Sequence, residues 1–268
     1  MDRLNTTSSY SSNDSYEPVG TMSDNNIDGI LSKHIARSRS FSTPVTTSSN
    51  DLLRTLPTEL FKKLQPSLRS VYLEAEQFLY MQDDKLDYIY FPETAVISEF
   101  RTLDDGRMVE VTLTGHEGAV GMMALFCNSR VANCTQVSQA GSAVRIEASV
   151  LEKMLRLHPE LMVALSKEFD HYIRQISQRS ICNMYHSVKE RLCTWLLLVQ
   201  DRCGKKTLKL THEQIARILG VYRPSITCIA LEMRKKNLIT YSRGGLSISN
   251  RAKVEEAACG CYAELASV

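Results

Sequence analysis

The sequence predicts an α+β fold in which an N-terminal antiparallel β-barrel or jelly roll precedes a long helix and a C-terminal helical domain. Three observations predict this fold. Short strand-like segments separated by turn residues fill residues 70–147, an apolar stripe at helical spacing occupies residues 160–184, and two short helical patterns flank Gly220. Roughly 80 residues of strand pattern are enough for one small β domain.

The predicted barrel contains strand-like segments with alternating apolar and polar residues. The turn Asp104-Asp105-Gly106 is its clearest hairpin signal, because Asp and Gly tolerate the backbone conformations of tight turns. Short helices are expected before the strands, in residues 52–68. The strand-like segments are Ser70–Leu73, Gln77–Tyr80, Tyr88–Pro92, Ala95–Leu103, Met108–Thr114, Cys134–Ser138 and Ser142–Glu147.

Both ends of the chain are expected to be tails. Residues 1–50 are rich in Ser, Thr and Asn and poor in large apolar groups, so they predict a disordered segment. Residues 253–268 are expected to form a C-terminal tail. Because no segment has the roughly 18 consecutive apolar residues of a membrane span, we expect a cytoplasmic protein with no membrane contact.

A long helix is expected in residues 159–184. Some of its apolar residues step by three and four positions, which is typical of a coiled-coil seam and predicts a homodimer. A competing interpretation is that this stripe packs on the protein's own barrel. Leu161, Ile173 and Ser180 lie on another face and are available for that contact. The predicted dimerisation residues are Met162, Leu165, Phe169, Tyr172 and Ile176.

The segment Leu210–Ile239 predicts two short helices joined by a sharp turn. Thr211 and Gln214 have the spacing of a capping box at the start of the first helix. Gly220 is placed to end that helix, and Pro224 lies where the second one begins. The pattern favours a helix-turn-helix, with a helical hairpin packed in a core as the alternative.

The charge distribution favours a polyanionic partner. Residues 186–253 contain fourteen Lys or Arg and four acidic residues, which is a net charge of +10, whereas the whole chain carries only +2. A segregated positive field suits nucleic acid, because each neutralised phosphate releases a condensed counterion. A basic face that only contacts water is the alternative.

Residues 210–239, with a turn and a short strand in residues 240–249, resemble the winged helix-turn-helix of the Crp/Fnr family of transcription regulators. The resemblance implies binding to double-stranded DNA, a partnership with RNA polymerase, and base contacts from Arg223, Ser225 and Thr227. It implies phosphate contacts from Thr211 and Gln214, and from Arg243 in a glycine turn that resembles a wing tip. Arg234 and Lys235 lie late on the second helix, where a contact with phosphate is expected rather than one with bases. Pro224 and Cys228 depart from the base-contact set of the cyclic-AMP-type members, so the target sequence is not transferable. Thr227 and Cys228 either contact bases or face solvent or the core.

The strand region resembles the cyclic-nucleotide-binding fold that precedes the DNA-binding domain in the Crp/Fnr family. The resemblance implies a sensor barrel in residues 51–158, a dimerisation helix in residues 159–184 and a winged helix-turn-helix in residues 185–252. Members that bind cyclic nucleotides carry a glutamate for the ribose and an arginine for the phosphate. At the matching positions this sequence has Gly121-Met122-Met123 and Ala132-Asn133-Cys134-Thr135, with neither residue in register. The effector is therefore not expected to be cyclic AMP.

The glycine-rich stretch Gly115–Phe126 is a candidate site for a different small effector. Such a loop either cradles an anion or only turns the chain, and the second role is commoner. The candidate effector-loop residues are Gly115, Glu117, Gly118, Gly121 and Arg130.

No metal site and no cofactor are expected. His116 is isolated from other potential ligands, and Cys259-x-Cys261 has no further ligand near it in the sequence, so both thiols are expected to be exposed and reduced. No catalytic set of acids, bases or nucleophiles indicates an enzyme. The expected function is a DNA-binding transcription factor; the alternative is a small-molecule sensor whose barrel carries the main activity.

Overall fold

The N-terminal half of the protein is a β-barrel built from two antiparallel four-stranded sheets. The computed structural model describes residues 39–126, 130–242 and 245–266. The strand orders are β1-β2-β8-β4 and β3-β7-β5-β6, and every strand predicted in this region is confirmed. The strands are β1 Arg39–Pro44, β2 Arg69–Leu73, β3 Phe78–Tyr80, β4 Tyr88–Pro92, β5 Val96–Thr102, β6 Met108–Thr114, β7 Cys134–Gln139 and β8 Gly141–Glu147.

The expected N-terminal tail extends too far, because residues 39–50 have defined structure. Strand β1 pairs with β2, and the side chain of Asn50 is fully buried. Asn50 donates hydrogen bonds to the carbonyl oxygens of Pro92 (2.8 Å) and Gly118 (2.9 Å) and accepts one from the Leu53 amide. Hydrogen bonds thus hold a segment that has few apolar residues. Residues 1–38 of the expected tail lie outside the described part of the chain.

Short helices close the barrel, and one long helix leaves it. The short helices are α1 Asp51–Arg54, α2 Thr58–Leu64, α3 Met122–Phe126 and α4 Ala148–Leu157, with a 3-10 turn at Gln65–Ser67. Helix α5, Pro159–Tyr185, has 27 residues and begins with the proline in its first turn, where the missing N–H costs no hydrogen bond.

The predicted dimerisation seam of α5 faces largely toward its own barrel. Leu165 is only 1% exposed and belongs to the barrel core of its own chain, as the competing interpretation expects for this stripe. The Phe169 ring packs edge-on against Phe126, with 4.9 Å between the ring centroids. The Tyr172 hydroxyl donates to Glu99 Oε2 at 2.8 Å. A heptad pattern shows that a stripe packs, but it does not show against which surface.

The outward face of α5 carries a different set of residues. Ile173 and Ser180, the residues available for the barrel in the competing interpretation, are exposed instead, while Leu161 is buried as expected. Met162 is also exposed, and Ile176 is half-buried. A stripe of exposed residues at steps of three and four, here called the outer stripe, consists of Val163, Ser166, Asp170, Ile173, Ser177, Ile181 and Met184.

The C-terminal domain is helical with a small three-stranded sheet of order β10-β11-β9. Among the described residues, no helix is long and apolar enough to cross a membrane. The elements are α6 Val188–Cys203, β9 Thr207–Leu208, α7 His212–Leu219, α8 Arg223–Lys235, β10 Ile239–Ser242, β11 Gly245–Ile248, α9 Arg251–Ala257 and α10 Cys261–Ala266.

The C-terminal residues are not a loose tail. Val254 on α9 and Leu265 on α10 are buried, and both helices pack on α6. Cys259 and Cys261 are buried as well, so the expectation of exposed thiols is wrong.

The barrel and the C-terminal domain share one apolar core. Phe100 and Leu113 of the barrel pack in the same cluster as Trp195 and Leu196 of α6. This contact brings the helix-turn-helix against the sheet that contains β5 and β6.

Candidate DNA-binding interface

Helices α7 and α8 form the predicted helix-turn-helix. At the start of α7, the backbone N–H of Gln214 donates to Thr211 Oγ1 (3.2 Å), and the backbone N–H of Thr211 donates to Gln214 Oε1 (2.6 Å). These two hydrogen bonds confirm the capping box. Gly220 ends α7 in the left-handed conformation (φ 64°), which glycine adopts without strain. The two helices therefore meet at a short, sharply defined joint.

Helix α8 presents its first turns to solvent. Its buried face consists of Ile226, Ala230 and Met233, which anchor it to the domain core. Pro224 lies in the first turn, where its lack of an N–H is tolerated. The exposed side comprises Tyr222, Arg223, Pro224, Ser225, Cys228 and Leu231.

The predicted base-contacting residues have different surroundings. Arg223 is exposed, and its Nε lies 3.9 Å from Glu213 Oε2, a loose surface ion pair that releases the guanidinium at little cost. Ser225 and Cys228 are exposed, so Cys228 faces solvent rather than the core. Thr227 is half-buried, and its hydroxyl is 3.1 Å from His212 Nδ1.

His212 is a positioning residue that the sequence pattern does not indicate. Its ring lies between the two helices and the wing, with Nδ1 near Thr227 and Nε2 3.0 Å from the Tyr241 hydroxyl. The His212 and Tyr241 rings also make an edge-to-face contact at 5.5 Å. This bridge fixes α8 relative to α7 and β10.

The predicted phosphate-contacting residues divide into three groups. Thr211, Arg234 and Lys235 are exposed. The side-chain amide of Gln214 donates from Nε2 to Glu76 Oε1 of the barrel, so in this conformation that donor already has a partner. Arg243 lies outside the described residues.

Much of the positive charge of this domain has an internal partner. Arg202 forms a buried ion pair with Glu117 at 2.6 Å. Hydrogen bonds from Lys189 and Lys236 lower the pKa of Glu232 to about 2. The exposed cations around the helix-turn-helix include Lys206, Lys209, Arg223, Arg234 and Lys235, with Lys236 exposed beside Glu232. Because Glu117 lies outside residues 186–253, the net charge of that segment overstates the field available to a polyanion.

Helix α7 is docked on the barrel through a second arginine. Arg217 Nη2 donates to Gln136 Oε1 at 2.9 Å, and its guanidinium lies 5.6 Å from the centre of the Phe100 ring. With the contact from Gln214 to Glu76, this docking holds the first helix of the motif against the sheet.

The glycine-rich candidate effector loop is filled by the protein's own side chains. A Cβ at Gly115 would lie 2.5 Å from Arg202 Cβ, and one at Gly118 would lie 2.8 Å from Glu168 Oε1. The glycines therefore permit the close approach of α5 and α6. This is a structural role, as opposed to the binding of an anion. Gly121 (φ 96°) turns the chain into α3. A Cβ at Gly121 would meet the side chains of Leu86 and Ile89.

The chemistry around this loop is acidic and does not suit an anion cradle. Burial, with smaller contributions from the nearby carboxylates of Glu117 and Glu99, raises the pKa of Glu168 to about 8. Arg130, the cation expected to serve the loop, instead donates to the Asp83 carbonyl oxygen at 2.7 Å. The positive charge at the loop comes from Arg202, which Glu117 already binds.

A buried carboxylate joins the barrel, α5 and α6. Glu110 on β6 pairs with Arg179 of α5 and accepts hydrogen bonds from Trp195 Nε1 (2.9 Å) and Ser98 Oγ (2.5 Å). Burial raises the pKa of Glu110, while the charge of Arg179 opposes that shift. These partners come from distant parts of the sequence, so no local pattern predicts the network.

Comparisons with known proteins identify the family. Residues 190–257 match the model of the Crp-like helix-turn-helix domain, and residues 70–158 match that of the cyclic nucleotide-binding domain. The chain belongs to the Crp/Fnr family. This Crp/Fnr protein is a DNA-binding transcription regulator.

Similar proteins span nearly the same architecture. The chain is 20% identical to the Anaerobic regulatory protein of Bacillus subtilis over 215 residues, which cover 77% of this chain and 89% of that protein. It is 20% identical to the Global nitrogen regulator of Synechocystis over 203 residues, which cover 71% and 90%.

Solved structures share the fold. FixK2 from Bradyrhizobium japonicum superimposes with a TM-score of 0.61 at 15% identity, covering 72% of this chain and 98% of FixK2. A transcriptional regulator of the Crp/Fnr family from Eubacterium rectale gives a TM-score of 0.62 at 16% identity, covering 77% and 96%.

Proposed function

We propose that this Crp/Fnr regulator binds an inverted-repeat promoter site as a homodimer and contacts bases through Arg223 and Ser225. The observation that carries this proposal is the exposed start of α8, where Arg223 projects from a helix that Ile226 and His212 hold in place. The guanidinium can donate two parallel hydrogen bonds to O6 and N7 of guanine. Thr227 is a weaker candidate because it is half-buried against His212.

Phosphate contacts set the register of this interface on DNA. Thr211 at the start of α7 and Arg234 and Lys235 at the end of α8 are exposed on the same helical pair. Such contacts position the protein without selecting a sequence. Gln214 joins them after its amide leaves Glu76, and Arg243 remains a proposed wing contact.

The outer stripe of α5 is the proposed dimer contact. Ile173 is 58% exposed, Ile181 47% and Met184 74%, which leaves a row of apolar side chains on the face opposite the barrel. Pairing of this row between two chains would bury it and place two α8 helices on one face of DNA. Two half-sites one turn apart, roughly 34 Å, then form the inverted repeat.

The signal for this regulator is proposed not to be a cyclic nucleotide. At the position of the phosphate cassette, Met122 is buried in the barrel core, and Asn133 donates to the Tyr172 hydroxyl at 3.0 Å. Neither supplies the charge that a cyclic phosphate or a ribose needs. We expect the protein to act in the cytoplasm together with RNA polymerase.

Arg223→Ala tests the base contact, with Arg234→Ala as the matched control. Removing the bidentate donor should weaken binding to the preferred site by about 1–3 kcal/mol and remove the preference at one base position. Arg234→Ala should weaken binding equally on all sequences and reduce its salt dependence. Equal losses on every sequence for Arg223→Ala, in titrations of labelled duplexes, would make Arg223 a phosphate contact.

Ile173→Glu tests the dimer contact. A charge in the outer stripe should yield monomers in sedimentation velocity and abolish high-affinity binding to the inverted repeat. Leu157→Glu is the control, because Leu157 is 71% exposed at the end of α4 and lies outside the stripe. Dimers that persist in Ile173→Glu would exclude this face as the interface.

A further inference from the structure

Four potential metal ligands converge where α5 ends and the C-terminal segment crosses it. They are Cys182 in the last turn of α5, His186 directly after that helix, Cys259 between α9 and α10, and Cys261 at the start of α10. Their ligand atoms all lie within 4.8 Å of one another. The three cysteines are buried and the histidine is half-buried.

The spacing of these atoms fits one tetrahedral ion. Metal–sulfur bonds of 2.3 Å and metal–nitrogen bonds of 2.0–2.1 Å place two sulfurs about 3.8 Å apart and a sulfur and a nitrogen about 3.6 Å apart. In the structure, the Sγ atoms of Cys182 and Cys259 are 3.9 Å apart, and Cys261 Sγ is 3.7 Å from His186 Nδ1. Ligands around a cluster of several metal ions would be spread more widely.

Surrounding groups support the ligands as an outer shell. Gln178 Nε2 donates to Cys261 Sγ at 2.7 Å, and Thr194 Oγ1 is 3.0 Å from Cys259 Sγ. Groups in such positions orient metal ligands and tune their basicity. These contacts come from α5 and α6, so both helices help to hold the cysteines in place.

Two arginines line the small cavity beside the cluster, and one of them, Arg179, is already paired with Glu110. Arg191 lines the same small cavity as Cys182 and Cys259, and its Nε is buried without a hydrogen-bond partner among the described residues. Three thiolates and a divalent ion carry a net charge of −1, which the guanidinium of Arg191 would balance. The site is therefore electrostatically matched to a bound ion.

We propose that Cys182, His186, Cys259 and Cys261 bind one divalent metal ion of the zinc type. Four protein ligands leave no open coordination position, so the site is structural rather than catalytic. The ion ties α10 to the end of α5 and fixes the joint between α5 and α6, through which the barrel connects to the DNA-binding domain. The sequence did not reveal it because Cys182 and His186 lie 77 and 75 residues before the cysteines that they face.

Metal content tests the site directly. Full-length protein purified under reducing, oxygen-free conditions and incubated with Zn²⁺ should retain one zinc per chain after gel filtration, measured by plasma mass spectrometry. Cys259→Ser and Cys261→Ser should each lose this zinc. Cys228→Ser is the matched control, because Cys228 is an exposed thiol outside the cluster, and it should retain one zinc.

Thiol protection in the wild-type protein tests the ligands without a substitution that impairs folding. Zinc should shield Cys182, Cys259 and Cys261 from alkylation, with the sites located by peptide mass spectrometry, and a chelator should expose them. Cobalt should give the intense sulfur-to-metal absorption of a tetrahedral thiolate site. Absence of stoichiometric zinc, protection of other cysteines, iron with acid-labile sulfide, or a Cys182–Cys259 disulfide in the reduced preparation would overturn the proposal.

Discussion

The buried carboxyl group of Glu168 should make the stability of this protein fall as the pH rises. Glu168 lies on α5 and is 6% exposed. Its carboxyl group faces Gly118 of the barrel and is near the charge of Arg202 on α6. Burial is the main reason that its pKa rises to about 8, and the Glu117 carboxylate adds to the shift. The Ala119 amide and the charge of Arg202 oppose it without restoring the ordinary pKa.

The sign follows from proton binding. The unfolded chain releases this proton near pH 4.5, whereas the folded protein keeps it until the pH approaches 8. The contribution of Glu168 to stability is therefore fully present below pH 4.5 and is lost as the pH rises through about 8. The difference between the two pKa values corresponds to a decrease in the free energy of unfolding of roughly 5 kcal/mol at most.

Glu168→Gln should remove this pH dependence. The amide is neutral at every pH and still offers an oxygen to the Ala119 amide. The free energy of unfolding, from urea titrations followed by Trp195 fluorescence, should fall between pH 5 and 8.5 in the wild type. In the variant the fall should be smaller, with Glu110 still contributing because burial raises its pKa as well, and at pH 8.5 the variant should be the more stable protein.

Glu59→Gln is the control for this titration, because the Glu59 side chain is 79% exposed on α2. It should leave the wild-type pH profile unchanged. If Glu168→Gln keeps the slope of the wild type, Glu168 ionises normally in the folded protein and its burial does not control stability.

Three further substitutions test the contacts between the domains and within the helix-turn-helix. Gly118→Ala should lower the free energy of unfolding by about 1–3 kcal/mol, because the added Cβ meets Glu168, whereas Gly260→Ala, with open space around it, should not. Trp195→Phe should cost about 1–3 kcal/mol in urea titrations followed by circular dichroism, because buried Glu110 loses a donor; an unchanged midpoint would contradict that role. Thr211→Ala should cost about 1 kcal/mol by removing the cap of α7 and should weaken binding equally on all DNA sequences; a sequence-selective loss would assign Thr211 to bases.

Local patterns predicted the elements of this fold well. The barrel strands follow from period-two alternation, and the helix-turn-helix follows from the Thr211 cap, Gly220 and Pro224. These signals depend on neighbours within a few residues, which a sequence displays directly. The exposed position of Arg223 at the start of α8 follows from the helical spacing of the buried residues Ile226, Ala230 and Met233.

Contacts between distant segments could not be predicted in this way. Apolar spacing in α5 did not reveal that Leu165, Phe169 and Tyr172 contact their own barrel, because it does not specify the surface that covers a stripe. Glu110 and Trp195 are 85 residues apart, and Cys182 and Cys259 are 77 apart, so neither pair forms a local motif. Both depend on how the barrel, α5 and the C-terminal helices pack together.

Selection of bound sequences from random double-stranded DNA, with the purified protein and no added ligand, tests whether this regulator reads bases through Arg223. We expect enrichment of an inverted repeat with half-sites about one helical turn apart. In a parallel selection, Arg223→Ala should lose the preference at one base pair of each half-site. Enrichment of no sequence, or of the same repeat by both proteins, would contradict base recognition through Arg223.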